Sequence, residues 1–77
     1  MNAERRKRVK VALGQLEMLK ASIEGIRDEE QEYYDNMPEA IQLGVKGDKA
    51  TECIDALDYC LGDLETASDE LADVLNG

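Results

Sequence analysis

The residues of this sequence that are able to do chemistry are carboxylates and two thiols. The 77 residues include 18 Asp and Glu and two Cys but no His, so the side chain that most often serves as a general base or metal ligand is missing. Cys53 and Cys60 lie about 10.5 Å apart along a helix, whereas a disulfide needs Cα atoms within about 7 Å. We therefore expect reduced, buried thiols, with a bridge between chains as the alternative.

Nothing in the spacing of these residues indicates an active site. The cysteines do not form a metal-binding Cys-x-x-Cys pair, and the six glycines stand singly, so no phosphate-binding loop is present. The segment DKATECIDALD lacks the glycine and the alternating oxygen ligands of a calcium loop. The carboxylates follow helical patterns with no apolar pocket that would shift a pKa. We expect no catalytic residue, no metal and no cofactor.

Charge is divided unevenly along the chain, whose net charge is −9. Residues 1–27 contain seven bases and three acids, whereas residues 28–77 contain two bases and fifteen acids. No apolar run approaches the roughly 20 residues that span a bilayer, and MNAERRKRVKVALGQLEMLK has polar residues where a signal peptide would be apolar. We expect a soluble, intracellular protein without a membrane partner.

Two apolar rows at helical spacing predict the elements that must position these groups. The first row is Val9, Ala12, Leu16, Leu19, Ile23 and Ile26, and the second is Ala50, Ile54, Leu57, Leu61, Leu64, Ser68, Leu71 and Leu75. They predict helices over about 3–35 and about 48–75, which must run antiparallel because the connection is short. The expected fold is an all-α helical hairpin, a single domain over residues 1–77.

The joint between the long helices has its own helical signals. Asn36-Met37-Pro38-Glu39 fits a capping box, which predicts a short corner helix over about 37–43 that Gly44 ends. The segment GVKG then forms the turn, and Asp48 caps the last helix. Tyr33 continues the first apolar row and should be buried at the corner, which leaves Tyr34 exposed.

A second row on the last helix consists of small or apolar residues at sevenfold spacing. A seam widened in this way packs against more than one neighbour, yet a hairpin offers only one. We therefore expect the hairpin to associate with itself into a four-helix or larger bundle. The predicted interface between chains is Cys53, Cys60, Ala67 and Val74.

The basic cluster ERRKRVK has two interpretations. In a hairpin it lies beside the SDELAD end of the last helix, where Arg5 and Arg8 can form surface ion pairs with Asp69, Glu70 and Asp73, within the chain or with a dimer mate. The alternative is an arm that binds nucleic acid, which is less expected because no aromatic residues are interleaved with the bases.

Acidic side chains gather where the first helix should end, although a helix C-terminus favours positive charge. The last helix is acidic as well, either for solubility alone or as a rod of carboxylates that fits a basic groove built for a phosphate backbone. An exposed tyrosine beside such acids is an efficient contact residue. The predicted partner-binding residues are Glu29, Glu30, Glu32, Tyr34, Asp35, Asp55, Asp63 and Asp69.

The segment DEEQEYYDNMPEAIQ resembles a signature of short, acidic, helical proteins of bacterial phages and prophages. Those proteins have an Asp/Glu-rich run, paired aromatics, Asp-Asn, Met or Leu, Pro-Glu and then Leu-Gln. The likeness covers about fifteen residues and is most specific over Tyr34-Asp35-Asn36-Met37-Pro38-Glu39, whereas Ala40-Ile41 departs from the usual Asn/Ser-Leu. The family has no settled activity, so it assigns no role to any residue. It implies a mobile-element source and the cytoplasm of a bacterial host.

Together these patterns indicate a non-catalytic interaction protein, most of all an acidic inhibitor of a host nucleic-acid-binding defence machine, of the DNA-mimic, anti-restriction or anti-CRISPR kind. Its partner would be a host protein with a basic surface. Two alternatives remain. One is a phage accessory or assembly protein that acts only through its bundle, and the other is an oligomer that sequesters a nucleotide signal at its basic ends.

Overall fold

The computed structural model describes all residues, 1–77, as three helices without a strand. Helix α1 spans Ala3–Asp35, α2 spans Glu39–Gln42, and α3 spans Val45–Asn76. Helices α1 and α3 pack against each other along their length, and α2 packs against α3 at the corner. The result is a rod with principal extents of 58 × 15 × 13 Å. The predicted all-α helical hairpin is confirmed.

Helix α1 begins and ends close to its predicted limits. The side-chain Oδ1 of Asn2 accepts a hydrogen bond of 2.8 Å from the backbone N–H of Arg5, which satisfies one of the free N–H groups of the first turn. At the other end, the backbone N–H of Asn36 donates to the carbonyl of Glu32 at 3.0 Å, and the N–H of Met37 donates to the carbonyl of Tyr34 at 3.1 Å. Asn36 therefore ends α1.

The predicted capping box at Asn36 is wrong, because that residue belongs to the helix before it. Pro38 has an extended backbone, with ψ at 148°, and the corner helix restarts only at Glu39, without a side-chain cap. The short helix is accordingly Glu39–Gln42, shorter than the predicted 37–43.

Helix α3 begins at Val45, three residues before its predicted start. The segment GVKG is not a turn, because Gly44 is the N-cap and Gly47 already lies in the first helical turn. Gly47 is buried, and a Cβ atom on it would lie 1.9 Å from the carbonyl oxygen of Gln42. Only glycine lets the first turn of α3 approach α2 so closely. Asp48 is a first-turn residue, not the cap.

The apolar row predicted for α3 forms its side of the hairpin seam. Ala50, Ile54 and Ser68 are buried, and the other five residues of that row are partly buried. The seam of α1 keeps Val9, Leu16 and Ile23 from the prediction, but its other positions are rotated by one residue. The partly buried seam residues of α1 are Arg6, Val9, Leu13, Leu16, Lys20, Ile23, Arg27, Glu30 and Tyr34, and Met37 continues the row beyond the helix.

Three residues predicted for the α1 seam, Ala12, Leu19 and Ile26, are instead exposed, and Leu13, Lys20 and Arg27 take their places. Long basic side chains can cover a seam with their aliphatic stems while their charged ends reach polar partners. Lys20 and Arg27 find those partners on α3, in Glu65 and Asp58.

The same rotation reverses the two tyrosines. Tyr33 is 53% exposed, whereas Tyr34 is partly buried in the seam and its carbonyl accepts a hydrogen bond of 2.9 Å from Nε2 of Gln42. The predictions of a buried Tyr33 and an exposed Tyr34 are both wrong.

Side-chain contacts between the helices fix their register. Arg27 contacts Asp58, Lys20 contacts Glu65, and the Ser68 hydroxyl donates a hydrogen bond of 2.7 Å to Glu17. From one contact to the next, the residue number falls on α1 by as much as it rises on α3, first by seven and then by three. The helices therefore stay in one antiparallel register over about three turns.

Candidate functional site

One side of the hairpin holds a concentration of carboxylates. Lys20 contacts both Glu17 of α1 and Glu65 of α3, so these two acids lie on the same side of the seam. Each directly follows a seam leucine, Leu16 or Leu64. Residues at this position and the adjoining one outward form the acidic face. Its acids, all exposed, are Glu17, Glu24, Asp28, Asp35, Asp48, Asp55, Asp58, Glu65 and Asp69. The same rows also contain two bases, Lys7 and Lys10, near the start of α1.

Two seam cations reach the edge of the acidic face. Arg27 donates from Nε to Oδ1 of Asp58 at 2.8 Å and lies 3.2 Å from Asp28. Lys20 forms an ion pair with Glu65 and lies 3.6 Å from Glu17. Hydrogen bonding to Glu65, supported by the charge of Glu17, raises the pKa of Lys20 above its ordinary value. Hydrogen bonds to Asp58 and Asp28 likewise raise the pKa of Arg27.

The spacing of the acidic face is close to that of one nucleic-acid strand. From Asp48 to Asp69, α3 rises about 32 Å at about 1.5 Å per residue. The nine carboxylates of the face fall within that length, about one per 3.5 Å, and one strand of B-DNA has a phosphate every 3.4 Å or so of its axis. Lys20 and Arg27 reduce the net charge of the stretch but leave it strongly negative.

The opposite side of the seam is apolar and nearly neutral. In a pair of antiparallel helices, a local two-fold axis perpendicular to the plane that contains both helices relates one helix to the other. Residues at the same position relative to the seam therefore lie on the same side of the hairpin in both helices. The residues that directly precede every second seam residue, from Leu13 onward on α1 and from Ile54 onward on α3, form this apolar face. They are Ala12, Leu19, Ile26 and Tyr33 of α1 and Cys53, Cys60, Ala67 and Val74 of α3. Cys53 is exposed and Cys60 is only partly buried, so the prediction of buried thiols is wrong.

Charged residues along the apolar face nearly balance. Its rows and the adjoining outer rows contain four bases and three acids, namely Arg5, Arg8, Lys46 and Lys49 against Glu29, Asp63 and Glu70. The negative charge of the molecule is therefore concentrated on the acidic face.

The structure separates the residues that the sequence grouped as a partner-binding surface. Asp35, Asp55 and Asp69 lie on the acidic face. Glu29 and Asp63 border the apolar face, and Glu32 points outward, opposite the seam. Glu30 and Tyr34 lie in the seam itself and are partly buried. These residues do not form one continuous patch.

The basic cluster is largely unpaired within the hairpin. Arg6 donates a hydrogen bond to the backbone carbonyl of Leu75. A cation at this place stabilises the C-terminus of α3, which has no basic residue in its last turn. Arg5 and Arg8 form no ion pair with Asp69, Glu70 or Asp73. The predicted pairing within the chain is therefore wrong, because in the register set by Lys20 and Glu65 the acids Asp69 and Asp73 lie level with Leu16 and Ala12, at least about one turn farther along α1 than Arg5 and Arg8.

The predicted partner-binding set did not include six acids of this surface, namely Glu17, Glu24, Asp28, Asp48, Asp58 and Glu65. The available signal was opposite charge at matching levels of the two helices, with Lys20 and Arg27 on α1 and Glu65 and Asp58 on α3. That pattern selects the register of the seam and hence which acids share a side.

The structure contains no group of three or more Cys, Asp and Glu side chains arranged to hold a metal ion. None of its helices combines the length and the apolar character required to cross a bilayer. No protein-family model, no curated protein and no solved structure matches the chain.

Proposed function

We propose that this protein is a non-catalytic binding protein whose acidic face occupies a basic groove that a partner uses for nucleic acid. The observation that supports this function most directly is the set of nine exposed carboxylates on one side of the hairpin, which follow one another along the rod about as closely as the phosphates of one nucleic-acid strand.

The asymmetry of charge argues for a binding role over solubility alone. Acids that serve only solubility can be spread around a rod, and mixed signs on a surface are usual. Here the acids are concentrated on one side while the other side is nearly neutral. A concentrated field of one sign attracts an oppositely charged partner over long range and speeds the encounter.

The resemblance of residues 28–42 to phage and prophage proteins adds the class of partner. A mobile element benefits when one of its proteins blocks the nucleic-acid-binding defence enzymes of the host. Such enzymes have basic grooves that bind a phosphate backbone. The partner we propose is therefore a bacterial defence protein of this kind.

Capture from a bacterial lysate at low salt tests this function. Three tagged proteins serve as probes: the wild type and two variants whose net charges equal each other. The face variant neutralises four unpaired acids of the acidic face, as Asp35→Asn, Asp48→Asn, Asp55→Asn and Asp69→Asn. The control neutralises four exposed acids elsewhere, as Glu29→Gln, Glu32→Gln, Asp63→Asn and Glu70→Gln.

A protein retained by the wild type and the control, lost by the face variant and released by duplex DNA supports the proposal. DNA release is the decisive step, because it shows that the acidic face and DNA compete for one groove. Equal retention by both variants, or retention that excess DNA does not change, contradicts it.

A second candidate function rests on the apolar face. A protein that acts only through its bundle, as an accessory or assembly factor, needs that face and not the acidic one. Substitution of Leu19 or Ile26 would abolish the assembly role of such a protein, whereas the face variant would keep that role.

A further inference from the structure

The apolar face leaves large side chains of α1 open to solvent. Leu19 is 49% exposed, and Ile26 and Tyr33 are each 53% exposed. They lie in one row, seven residues apart, because the seam of α1 uses the neighbouring positions. Scattered exposed apolar residues are common on proteins, but a continuous apolar row marks a surface that another molecule covers.

The register of the hairpin matches this row to smaller residues on α3. The contact of Arg27 with Asp58 and that of Lys20 with Glu65 set the levels along the rod. At those levels Tyr33 lies beside Cys53, Ile26 beside Cys60, and Leu19 beside Ala67. The apolar face therefore has a row of large residues next to a row of small ones.

Such a face is complementary to itself. A two-fold axis along the rod lays α1 of each chain on α3 of the other at equal levels. Every large residue then meets a small residue of the other chain, the alternation that lets packed layers interdigitate. A two-fold axis across the rod would place large residues on large ones.

The charges permit this approach, although each molecule carries a net charge of −9. The apolar face and its borders contain four bases and three acids, so two copies meet through their least charged sides. The acidic faces point away from each other and stay accessible.

The size of the face fits a dimer as well. One whole side of the rod is 58 Å long and 13 to 15 Å wide. Its area is therefore close to the roughly 800 Å² that each partner buries in a standard protein interface. The hairpin alone has only two buried hydrophobic residues, Ala50 and Ile54, so a second layer would supply apolar burial that a chain of this length lacks.

From these observations we infer that the apolar face binds a second copy of this chain, with a two-fold axis along the rod, to form a four-helix bundle with an acidic face on each outer side. This dimer does not depend on the proposed function, and either can fail without the other.

Light scattering coupled to size-exclusion chromatography at micromolar concentration tests the dimer. The disrupting variants are Leu19→Glu, which adds a charge to the large row, and Ala67→Lys, which adds the opposite charge to the small row. The matched control is Ala21→Glu, at an exposed alanine on the other side of α1. Circular dichroism checks that every variant remains helical.

We expect dimers for the wild type and Ala21→Glu, and monomers for Leu19→Glu and Ala67→Lys separately. An equimolar mixture of the last two should dimerise again, because residue 19 of one chain faces residue 67 of the other. A monomeric wild type, or a Leu19→Glu variant that remains dimeric, overturns the inference. If the mixture does not dimerise, the two-fold axis along the rod is wrong. If the wild type stays monomeric and binds a different protein through this face, the occupant of the face is not a second copy.

Discussion

Arg27 of α1 donates a hydrogen bond of 2.8 Å from Nε to Oδ1 of Asp58 on α3, between residues that are 31 positions apart in the chain. This contact places a guanidinium at a seam position where the apolar pattern predicted isoleucine. It also fixes which rows of α1 and α3 share a side, and so separates the acidic face from the apolar face.

The close approach of α2 and α3 predicts opposite effects for two glycine substitutions. Gly47→Ala should lower the free energy of unfolding by about 1–3 kcal/mol, because its Cβ would meet the backbone of Gln42. Gly62→Ala, where nothing lies within 4 Å, should raise it by about 0.5–1 kcal/mol, since alanine favours the helix. Urea denaturation at equal protein concentration measures both, and a neutral or stabilising Gly47→Ala would refute the tight corner.

The ion pair of Lys20 with Glu65 predicts a loss of stability at alkaline pH. The folded state raises the pKa of Lys20, so its stabilisation is complete below the unfolded pKa of about 10.4. It is lost as the pH rises through the folded pKa. Lys20→Arg stays charged there and should lose less stability than the wild type as the pH rises above about 10.4. Urea midpoints of both proteins that decline in parallel would count against the ion pair.

The bond from Arg6 to the carbonyl of Leu75 predicts a local effect at the end of α3. Arg6→Ala should speed hydrogen exchange of amides in the last turn by about two- to fivefold, since a cation at a helix C-terminus contributes about 0.3–1 kcal/mol. Arg5→Ala removes the same charge from a side chain without a bond to α3 and should leave that exchange unchanged. Equal exchange rates in the two variants would show that the contact adds nothing.

The seam of α3 was readable from the sequence, because its row from Ala50 to Leu75 collects five leucines and Ile54, whereas the neighbouring row offers the smaller Cys53, Cys60, Ala67 and Val74. The α1 half was ambiguous. Val9, Leu16 and Ile23 belong to two possible seams, one completed by Ala12, Leu19 and Ile26 and the other by Leu13, Lys20 and Arg27. Apolar counting favours the first, but the charges on α3 favour the second, since Lys20 and Arg27 then reach Glu65 and Asp58.

The candidate site depended on that choice and could not be read from local sequence. Acids that are distant in the chain, such as Asp28 and Asp55, share a side only after the register of the hairpin is known. The corner was misread for a similar reason. The glycines of GVKG are typical of a turn, and only the close approach of Gly47 to Gln42 shows that Gly47 serves the packing of α3 against α2.

The salt dependence of binding tests the acidic face most directly, with the purified partner recovered in the DNA-release experiment. Calorimetry would compare the wild type, the face variant and the charge-matched control at about 50 mM and about 200 mM salt. We predict that the wild type and the control lose affinity on the order of 10- to 1000-fold as salt rises, and that the face variant binds weakly at both concentrations. Affinity that is equal in all three proteins, or independent of salt, would contradict the account.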